Sequence, residues 1–180
     1  SYLVTTIYRK LEGNHPPTPV SLIYPEEGSV VFSTTFFAWT ASTDPDGDPL
    51  TYTIELDTVD TFDSGNRIVE EGLTSTMTQV EGILDGQTYY WRVIPVDAYG
   101  ASPLDNEIRT FMVQNGNPDV PGAIVGVVLD LVTGAPVSDA TVTLTPGTLS
   151  MQVLPTGDFY FFNLAPDVYI VNAEAPEHAG

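Results

Sequence analysis

Cysteine is absent from this 180-residue chain, which excludes disulfide bonds, thiol catalysis and zinc–thiolate sites. Basic residues are scarce: 24 Asp and Glu stand against five Lys and Arg, for a formal net charge of −19. Nucleic acids and anionic membrane surfaces bind to clusters of positive charge, so the composition disfavours both as partners. Such acidity is typical of proteins that meet divalent cations or high salt, or that simply need solubility.

Signatures of membrane insertion and of catalysis are missing too. The chain has no run of about eighteen apolar residues, so we expect no membrane span. It has no nucleophile elbow, P-loop or His-Glu-X-X-His motif, and nothing marks the cleft with two distinct carboxyl groups that a glycosidase needs. Its two histidines, His15 and His178, fall in a linker and near the C-terminus, where side chains are usually solvated. We expect a protein that is not an enzyme and requires no cofactor.

The segment from Gly82 to Gly100 is the most informative part of the sequence. A turn at Asp85-Gly86 leads into a strand that carries three large side chains on one face, Tyr89, Trp91 and Val93. Aromatic residues that alternate with polar ones are typical of the space between the two sheets of a β-sandwich. We expect Trp39, Tyr89 and Trp91 to lie in the core.

Short strands and turn signals continue through residues 18–114, and no helical period competes with them. We predict strands near residues 20–24, 30–40, 50–58, 67–71, 74–80, 87–97 and 107–114. The segment Phe37-Ala-Trp-Thr-Ala-Ser-Thr-Asp-Pro-Asp-Gly-Asp-Pro-Leu-Thr-Tyr-Thr-Ile54, followed by Thr88-Tyr-Tyr-Trp-Arg-Val93, resembles a bacterial or archaeal fibronectin type III domain. The resemblance implies a sandwich with Ile83 and Tyr89 at its tyrosine corner. Domains of this family serve as spacers and recognition platforms.

A linker at residues 115–121 precedes a second module at residues 122–180. The sequence Gly122-Ala-Ile-Val-Gly-Val-Val-Leu-Asp-Leu-Val-Thr-Gly resembles the start of a carboxypeptidase regulatory-like domain, a small transthyretin-like sandwich. Asp167 stands where that family usually has Gly, and the family has one more strand after the segment near Tyr169 than this sequence provides. The predicted fold class is therefore all-β, with two tandem Ig-like sandwiches, the second lacking its last strand.

The first twelve residues read as a donor-type strand that the Pro-rich linker 13–17 separates from the first module. Its two faces are apolar, one with Leu3, Ile7 and Leu11 and the other with Tyr2, Val4 and Tyr8. A spare strand beside an incomplete sandwich predicts donor-strand complementation between copies of the chain, which makes a filament because the contact does not close on itself. The alternatives are a strand that belongs to an upstream domain of a longer array, and a strand that returns to its own chain.

Carboxylates at alternate positions in the turn Asp44-Pro-Asp-Gly-Asp48 predict a possible calcium site, because Ca²⁺ takes six to eight oxygen ligands. The fibronectin type III resemblance places the loop of Asp97 at the same end. The alternative is an acidic, solvated turn. A second acidic run, Asp57, Asp60 and Asp63, is interpreted as a solvated bend.

Four aromatic residues fall outside the core phase and are candidates for sugar binding or for packing against a neighbouring module: Tyr90, Tyr99, Tyr160 and Phe162. The function predicted from the sequence is an extracellular or cell-surface structural protein, a filament subunit whose partner is itself. The alternative is a set of spacer, adhesion or carbohydrate-binding modules from a larger surface protein, with surface glycans or surface proteins as partners.

Overall fold

The computed structural model describes residues 13–117 and 119–176. All regular structure in this part of the chain is β, with thirteen strands and no helix. None of the described residues therefore forms a helix with the length and hydropathy of a membrane span. The predicted all-β class is confirmed, whereas the predicted N-terminal strand at residues 1–12 lies outside the described residues.

The strands form four sheets with the orders β1-β3-β6, β2-β8-β7-β4-β5, β11-β10-β13 and β12-β9. Their bounds are β1 (Leu22–Tyr24), β2 (Ser29–Val31), β3 (Phe36–Trp39), β4 (Leu50–Asp57), β5 (Ile68–Leu73), β6 (Met77–Gln79), β7 (Thr88–Asp97), β8 (Ile108–Val113), β9 (Gly122–Val127), β10 (Thr141–Thr145), β11 (Leu149–Gln152), β12 (Asp158–Leu164) and β13 (Ile170–Glu174).

One predicted strand is wrong. Residues 30–40 were expected to be continuous, but the structure has two strands, β2 and β3, with a turn between them in which the Thr35 amide donates to the Phe32 carbonyl. The break has a topological reason. Strand β2 pairs in parallel with β8, whereas β3 lies between β1 and β6 in another sheet, so the chain changes sheets at the turn.

The described chain divides into two compact units. The first contains the described residues up to Ile23 together with Ala38–Thr78 and Tyr89–Arg109. Its core holds the predicted aromatic residues Trp39, Tyr89 and Trp91, all of which are buried. The Trp39 ring meets Tyr52 of β4 edge to face, with centroids 5.6 Å apart. Strand β4 pairs with β7 along its whole length, and every second residue of β7 from Tyr89 to Asp97 is buried.

The second unit contains Tyr24–Phe37, Gln79–Thr88 and the chain from Thr110 onward. One part of its core is the edge-to-face pair of Phe37 and Phe111, 5.5 Å apart. A separate cluster lies between the β12-β9 sheet and the β11-β10-β13 sheet, and its buried members are Ala140, Val142, Leu144, Val153, Phe159, Phe161 and Leu164. The boundaries proposed from the sequence, 18–114 and 122–180, stay a prediction.

Candidate strand-acceptor groove and acidic loop

The acidic loop, defined here as Asp44–Asp48, brings its three carboxylates together as the sequence predicts. One oxygen from each of Asp44, Asp46 and Asp48 lies within 4.8 Å of the others. The loop holds this shape by itself, because Asp44 Oδ1 accepts hydrogen bonds from the amides of Asp46 (2.8 Å) and Asp48 (3.2 Å). The other oxygen of Asp44 is buried without a hydrogen-bond partner. The loop is thus an Asx-type turn in which Asp44 Oδ2 accepts no hydrogen bond.

Asp97, the fourth predicted calcium ligand, is not part of this set of carboxylates. It is buried, and its Oδ1 accepts the amides of Tyr99 and Ala101, each at 2.8 Å. Its Oδ2 accepts the side-chain amide of Asn14 at 2.6 Å. The Asn14 hydrogen bond is the main reason why the pKa of Asp97 is lowered, although burial acts in the opposite direction. Both oxygens of Asp97 therefore have donors from the chain itself.

Asp46 is engaged by the same linker. Its Oδ2 accepts the His15 amide at 2.7 Å, and the His15 ring Nδ1 lies 3.2 Å from both carboxylate oxygens. Hydrogen bonding to the His15 amide is the largest cause that lowers the pKa of Asp46. Sequence reasoning missed this partnership, since His15 was interpreted as a solvated linker residue.

The donor set of the acidic loop fits a hard cation by distance. Oxygens on opposite sides of a calcium ion are separated by up to about 5 Å, because each Ca–O distance is about 2.3–2.6 Å. The 4.8 Å span of Asp44, Asp46 and Asp48 meets that limit. Three carboxylates supply only part of the six to eight oxygens that Ca²⁺ takes, so the remainder would be water or backbone carbonyls.

The second acidic run differs from its interpretation as a solvated bend. Asp57 is fully buried at the end of β4, where its carboxylate accepts the amides of Thr58 (2.6 Å) and Ser64 (2.9 Å) as well as the Ser64 hydroxyl. Burial acts to raise the pKa of Asp57, but these hydrogen bonds outweigh it and lower the pKa. Asp60 and Asp63 are exposed. Asp57 thus closes the loop 58–64.

The four candidate sugar-binding aromatics have different surroundings. Phe162 stacks on Tyr24 within the second unit, with ring centroids 4.1 Å apart and planes 2° from parallel. Tyr160 stacks on Phe162 at 4.9 Å. Tyr90 lies half-buried opposite Asp57 in the β4–β7 pair, and Tyr99 is 75% exposed on a turn. Phe162 therefore packs within its own chain, and Tyr160 has Phe162 as a packing partner on one side.

An open apolar groove of about 500 Å³ lies in the second unit. We call it the acceptor groove; it is lined by Phe32, Val120, Gly122, Ala123, Ile124, Leu164, Ala165, Pro166, Asp167 and Tyr169. Among the described residues of this lining, Asp167 alone is charged. The groove thus borders the start of β9 and the loop between β12 and β13.

Strand β13 is exposed along its whole length, including the side chains that point toward the core. Val171 and Ala173 lie directly opposite Leu144 and Val142 of β10, and directly opposed residues in an antiparallel pair project from the same face. Leu144 and Val142 are fully buried, whereas Val171 is 42% exposed. The inner face of β13 therefore has no layer over it within the described residues.

The residues predicted for self-assembly, Tyr2, Leu3, Val4, Ile7, Tyr8 and Leu11, lie outside the described residues. Sequence reasoning inferred that the second module lacks a strand, but it did not identify the residues left uncovered. Two signals were present in the sequence. The segment of β9 has no charged residue, and Val168, Ile170 and Val171 follow one another closely after Asp167.

Comparison with known proteins gives a fold likeness only. No protein-family model matches the chain, and no curated protein matches it significantly. Solved structures do resemble it. An Fn3-like protein from Clostridium thermocellum is 21% identical, with a TM-score of 0.37 over 59% of this chain and 99% of that one. The chicken CNTN1 FN1-FN3 domains are 16% identical, with a TM-score of 0.38 over 90% of this chain and 59% of that one.

Chitinase ChiA74 from Bacillus thuringiensis is 13% identical, with a TM-score of 0.39 over 88% of this chain and 29% of that one. Two of these three proteins carry by name the type of domain that residues 18–114 resemble in sequence. The resemblance of residues 122–180 to a carboxypeptidase regulatory-like domain stays a prediction. At such TM-scores the likenesses carry no argument about function.

Proposed function

We propose that this chain is a non-catalytic structural subunit of an extracellular filament, in which residues 1–12 of one copy complete the second sandwich of the next. The observation that carries the proposal is the uncovered inner face of β13 beside the acceptor groove. A sandwich that leaves core-facing Val171 without a covering layer exposes apolar surface and unpaired backbone groups, which favours strand addition.

The sequence of residues 1–12 has the chemistry of the missing layer. As a strand, this segment would carry apolar side chains on each of its two faces. Fully extended, it would be about 40 Å long, twice the length of a six-residue strand. It also carries Arg9 and Lys10, two of the five basic residues of the chain, and only one acidic residue, Glu12. The rest of the chain has three arginines against 23 acidic residues.

The three other basic residues already bind carboxylates of their own chain. Arg92 contacts Glu55 at 2.6 Å and Arg67 lies 3.8 Å from the same carboxylate, while Arg109 Nε donates to Glu107 at 2.7 Å. The excess of negative charge on the described surface therefore matches the positive charge on the first twelve residues. Complementary charge of this kind favours pairing between copies and steers their encounter.

Deleting residues 1–12 tests the proposal. The 180-residue chain should form filaments visible by electron microscopy as its concentration rises, and the deletion variant should not. The variant should keep the spectroscopic signature of buried Trp39 and Trp91, which reports that the first unit still folds. A synthetic peptide of residues 1–12 should cap growing filaments, whereas a scrambled peptide of the same composition should not. Filaments formed equally well by the deletion variant would contradict the proposal, and a 180-residue chain that stays monomeric would favour spacer or binding modules.

Weak calcium binding at the acidic loop is a subsidiary proposal. The 4.8 Å span of Asp44, Asp46 and Asp48 and the spare oxygen of Asp44 support it. Its role would be to stiffen one end of the first unit, because a ligand that binds the folded state stabilises it.

A further inference from the structure

The free edges of the described sheets differ in how they are protected against pairing. Strand β5 carries Glu70 and Glu71 and has an irregular register against β4. Strand β12 begins with Asp158 and has a bulge near Asn163, and β13 ends in Glu174. Strands β1, β2 and β6 have three residues each, and β11 has four. Charges, bulges and short length are the ordinary means of blocking edge-to-edge association.

Strand β9 has none of these protections. It has six residues, none of them charged, and it lies at the edge of a two-stranded sheet with β12 as its neighbour. Its core-facing positions follow from the ladder: Ile124 lies opposite Phe161 and Gly126 opposite Phe159, and both phenylalanines are buried. A Cβ on Gly126 would lie 2.7 Å from the Phe159 ring, so that ring already fills the space at this end of β9.

The acceptor groove lies at the other end of β9 from Gly126 and the Phe159 ring. Gly122, Ala123 and Ile124, the first half of β9, line the groove, and so does Tyr169, which directly precedes β13. A strand added beside β9 would lie about 4.8 Å from it and, in the opposing layer, would face the uncovered side of β13. The end of β12 also reaches the groove through Leu164, but β12 carries the charge and the bulge described above, so β9 is the unprotected edge at the groove.

We infer that β9 is the acceptor edge, and that residues 1–12 of a second copy pair with it as the third strand of the β12-β9 sheet. This inference rests on the proposed function and specifies its interface. Asp167, the one charge in the groove lining, is the partner expected for Arg9 or Lys10 of the inserted strand. The apolar side chains of one face of that strand then cover Ile124, Tyr169 and Val171.

Disulfide mapping tests this inference cleanly, because the natural chain has no cysteine. One cysteine is placed in the donor by Thr5→Cys or Thr6→Cys, two neighbours that face opposite sides of a strand. The second is placed on β9 by Val125→Cys, on the edge of β13 by Asn172→Cys, or on the protected edge of β5 by Glu71→Cys. Mild oxidation of assembled protein should give a ladder of covalent oligomers on non-reducing gels with Val125→Cys and one of the two donor positions.

The outcomes separate the inference from the proposed function. A ladder obtained with Asn172→Cys or Glu71→Cys in place of Val125→Cys would overturn the assignment to β9 and leave the filament intact. Filaments that form but give no ladder with Val125→Cys and either donor cysteine would overturn it as well. If the chain without residues 1–12 still forms filaments, the proposed function is wrong, and the assignment of β9 as acceptor fails with it.

A second inference comes from a different observation, the contacts of the linker inside the first unit. Asn14 and His15 donate to Asp97 and Asp46, as described above. Further along, Pro17 is buried, and the Thr18 amide donates to the Thr43 carbonyl at 2.9 Å. The Ser42 hydroxyl also donates to the Thr18 carbonyl at 2.6 Å. The linker is therefore attached to the unit from Asn14 onward.

The geometry points to Asp46 and Asp97 as a latch for the linker, which fixes the place where the first residues of the chain leave the subunit. Thirteen residues precede Asn14, and a fully extended chain of that length spans about 45 Å.

Hydrogen exchange read by mass spectrometry tests the latch on the full chain in whichever assembly state it adopts. Asn14→Ala and Asp46→Ala should each raise the exchange rate of the peptide spanning residues 14–20 by about tenfold, the factor expected for one lost hydrogen bond to a charged group. Asp46→Asn keeps an acceptor oxygen and should have a smaller effect. Wild-type exchange as fast as that of an unstructured peptide, or no change in the two alanine variants, would overturn the latch whether or not filaments form.

Discussion

Val171 lies directly opposite Leu144 in the β10–β13 ladder and projects from the same face, yet Leu144 is fully buried and Val171 is 42% exposed. The difference locates an apolar surface that no described strand covers. Leu144 is covered by the β12-β9 sheet through its cluster with Phe159 and Phe161, whereas no described strand extends that sheet far enough to cover Val171. Exposed apolar surface such as that of Val171 often marks a site where another protein chain binds.

The two faces of the donor strand should have unequal importance. Replacing Leu3 and Ile7 by Asp, or Val4 and Tyr8 by Asp, places two charges on one face only. Because one face enters the groove and the other faces solvent, we expect one double variant to abolish assembly and the other to assemble normally. Filament yield by sedimentation measures this directly. Normal assembly of both variants would show that residues 1–12 insert no face into a core.

Assembly should depend on the charge at position 167. Asp167→Lys places a positive charge in the acceptor groove, and we expect it to weaken assembly, most strongly at low ionic strength where charges are least screened. Combining it with Arg9→Glu and Lys10→Glu should restore assembly. The matched control is Asp60→Lys, which makes the same charge change at an exposed position of the first unit. Equal weakening by the control would show a general effect of net charge.

The core of the first unit should be sensitive to truncation. Trp39 is 1% exposed and packs against Tyr52, so Trp39→Ala should lower the free energy of unfolding by about 3–5 kcal/mol. Tyr99→Ala is the control, since Tyr99 is 75% exposed and should change the free energy of unfolding by about 0.5 kcal/mol or less. Urea denaturation of both variants gives the comparison, and a loss below about 1 kcal/mol for Trp39→Ala would contradict the assigned core.

Asp57 should make the stability depend on pH. Its pKa in the folded state lies below the ordinary value of 3.8, so the stabilisation is fully present above that value and is lost as pH falls through the lower folded-state pKa. We expect Asp57→Asn to be less stable at neutral pH and to lose less stability between about pH 5 and pH 2 than the wild type. Asp60→Asn should retain the wild-type profile because Asp60 is exposed. Thermal unfolding across this range checks the prediction, which an unchanged pH profile in Asp57→Asn would contradict.

Calcium should raise the melting temperature if the acidic loop binds it. Asp44→Asn and Asp48→Asn should remove the effect, whereas Asp60→Asn should not. Isothermal titration calorimetry and melting in millimolar calcium or chelator measure the two quantities. No heat and an unchanged melting temperature would leave the Asx turn of Asp44 as the whole account of this loop.

Alternation in the sequence predicted most of the fold. Trp39, Tyr89 and Trp91 are buried because they occupy core-facing positions of strands whose period is two. The break near Phe32 was missed because residues 30–40 contain no Gly, Pro, Asn or Asp to mark a turn, and a change of sheet depends on which strand each half pairs with. Local sequence does not contain that information.

The sites were predicted less completely for a similar reason. The cluster of Asp44, Asp46 and Asp48 is local in sequence and was found, whereas the bond from Asn14 to Asp97 joins residues 83 positions apart. The burial of Asp57 was missed because its donors, Thr58 and Ser64, become visible only when the loop closes. The groove residues beside β9 were missed because an uncovered face is a property of the assembled sheets.

The most direct test of the central claim is the binding of a peptide of residues 1–12 to the chain that lacks them, followed by NMR of labelled protein. The account predicts saturable binding of one peptide per chain, with shift changes in β9, β13 and Asp167 and protection of β9 amides from exchange. No binding, or shift changes confined to the first unit, would contradict it.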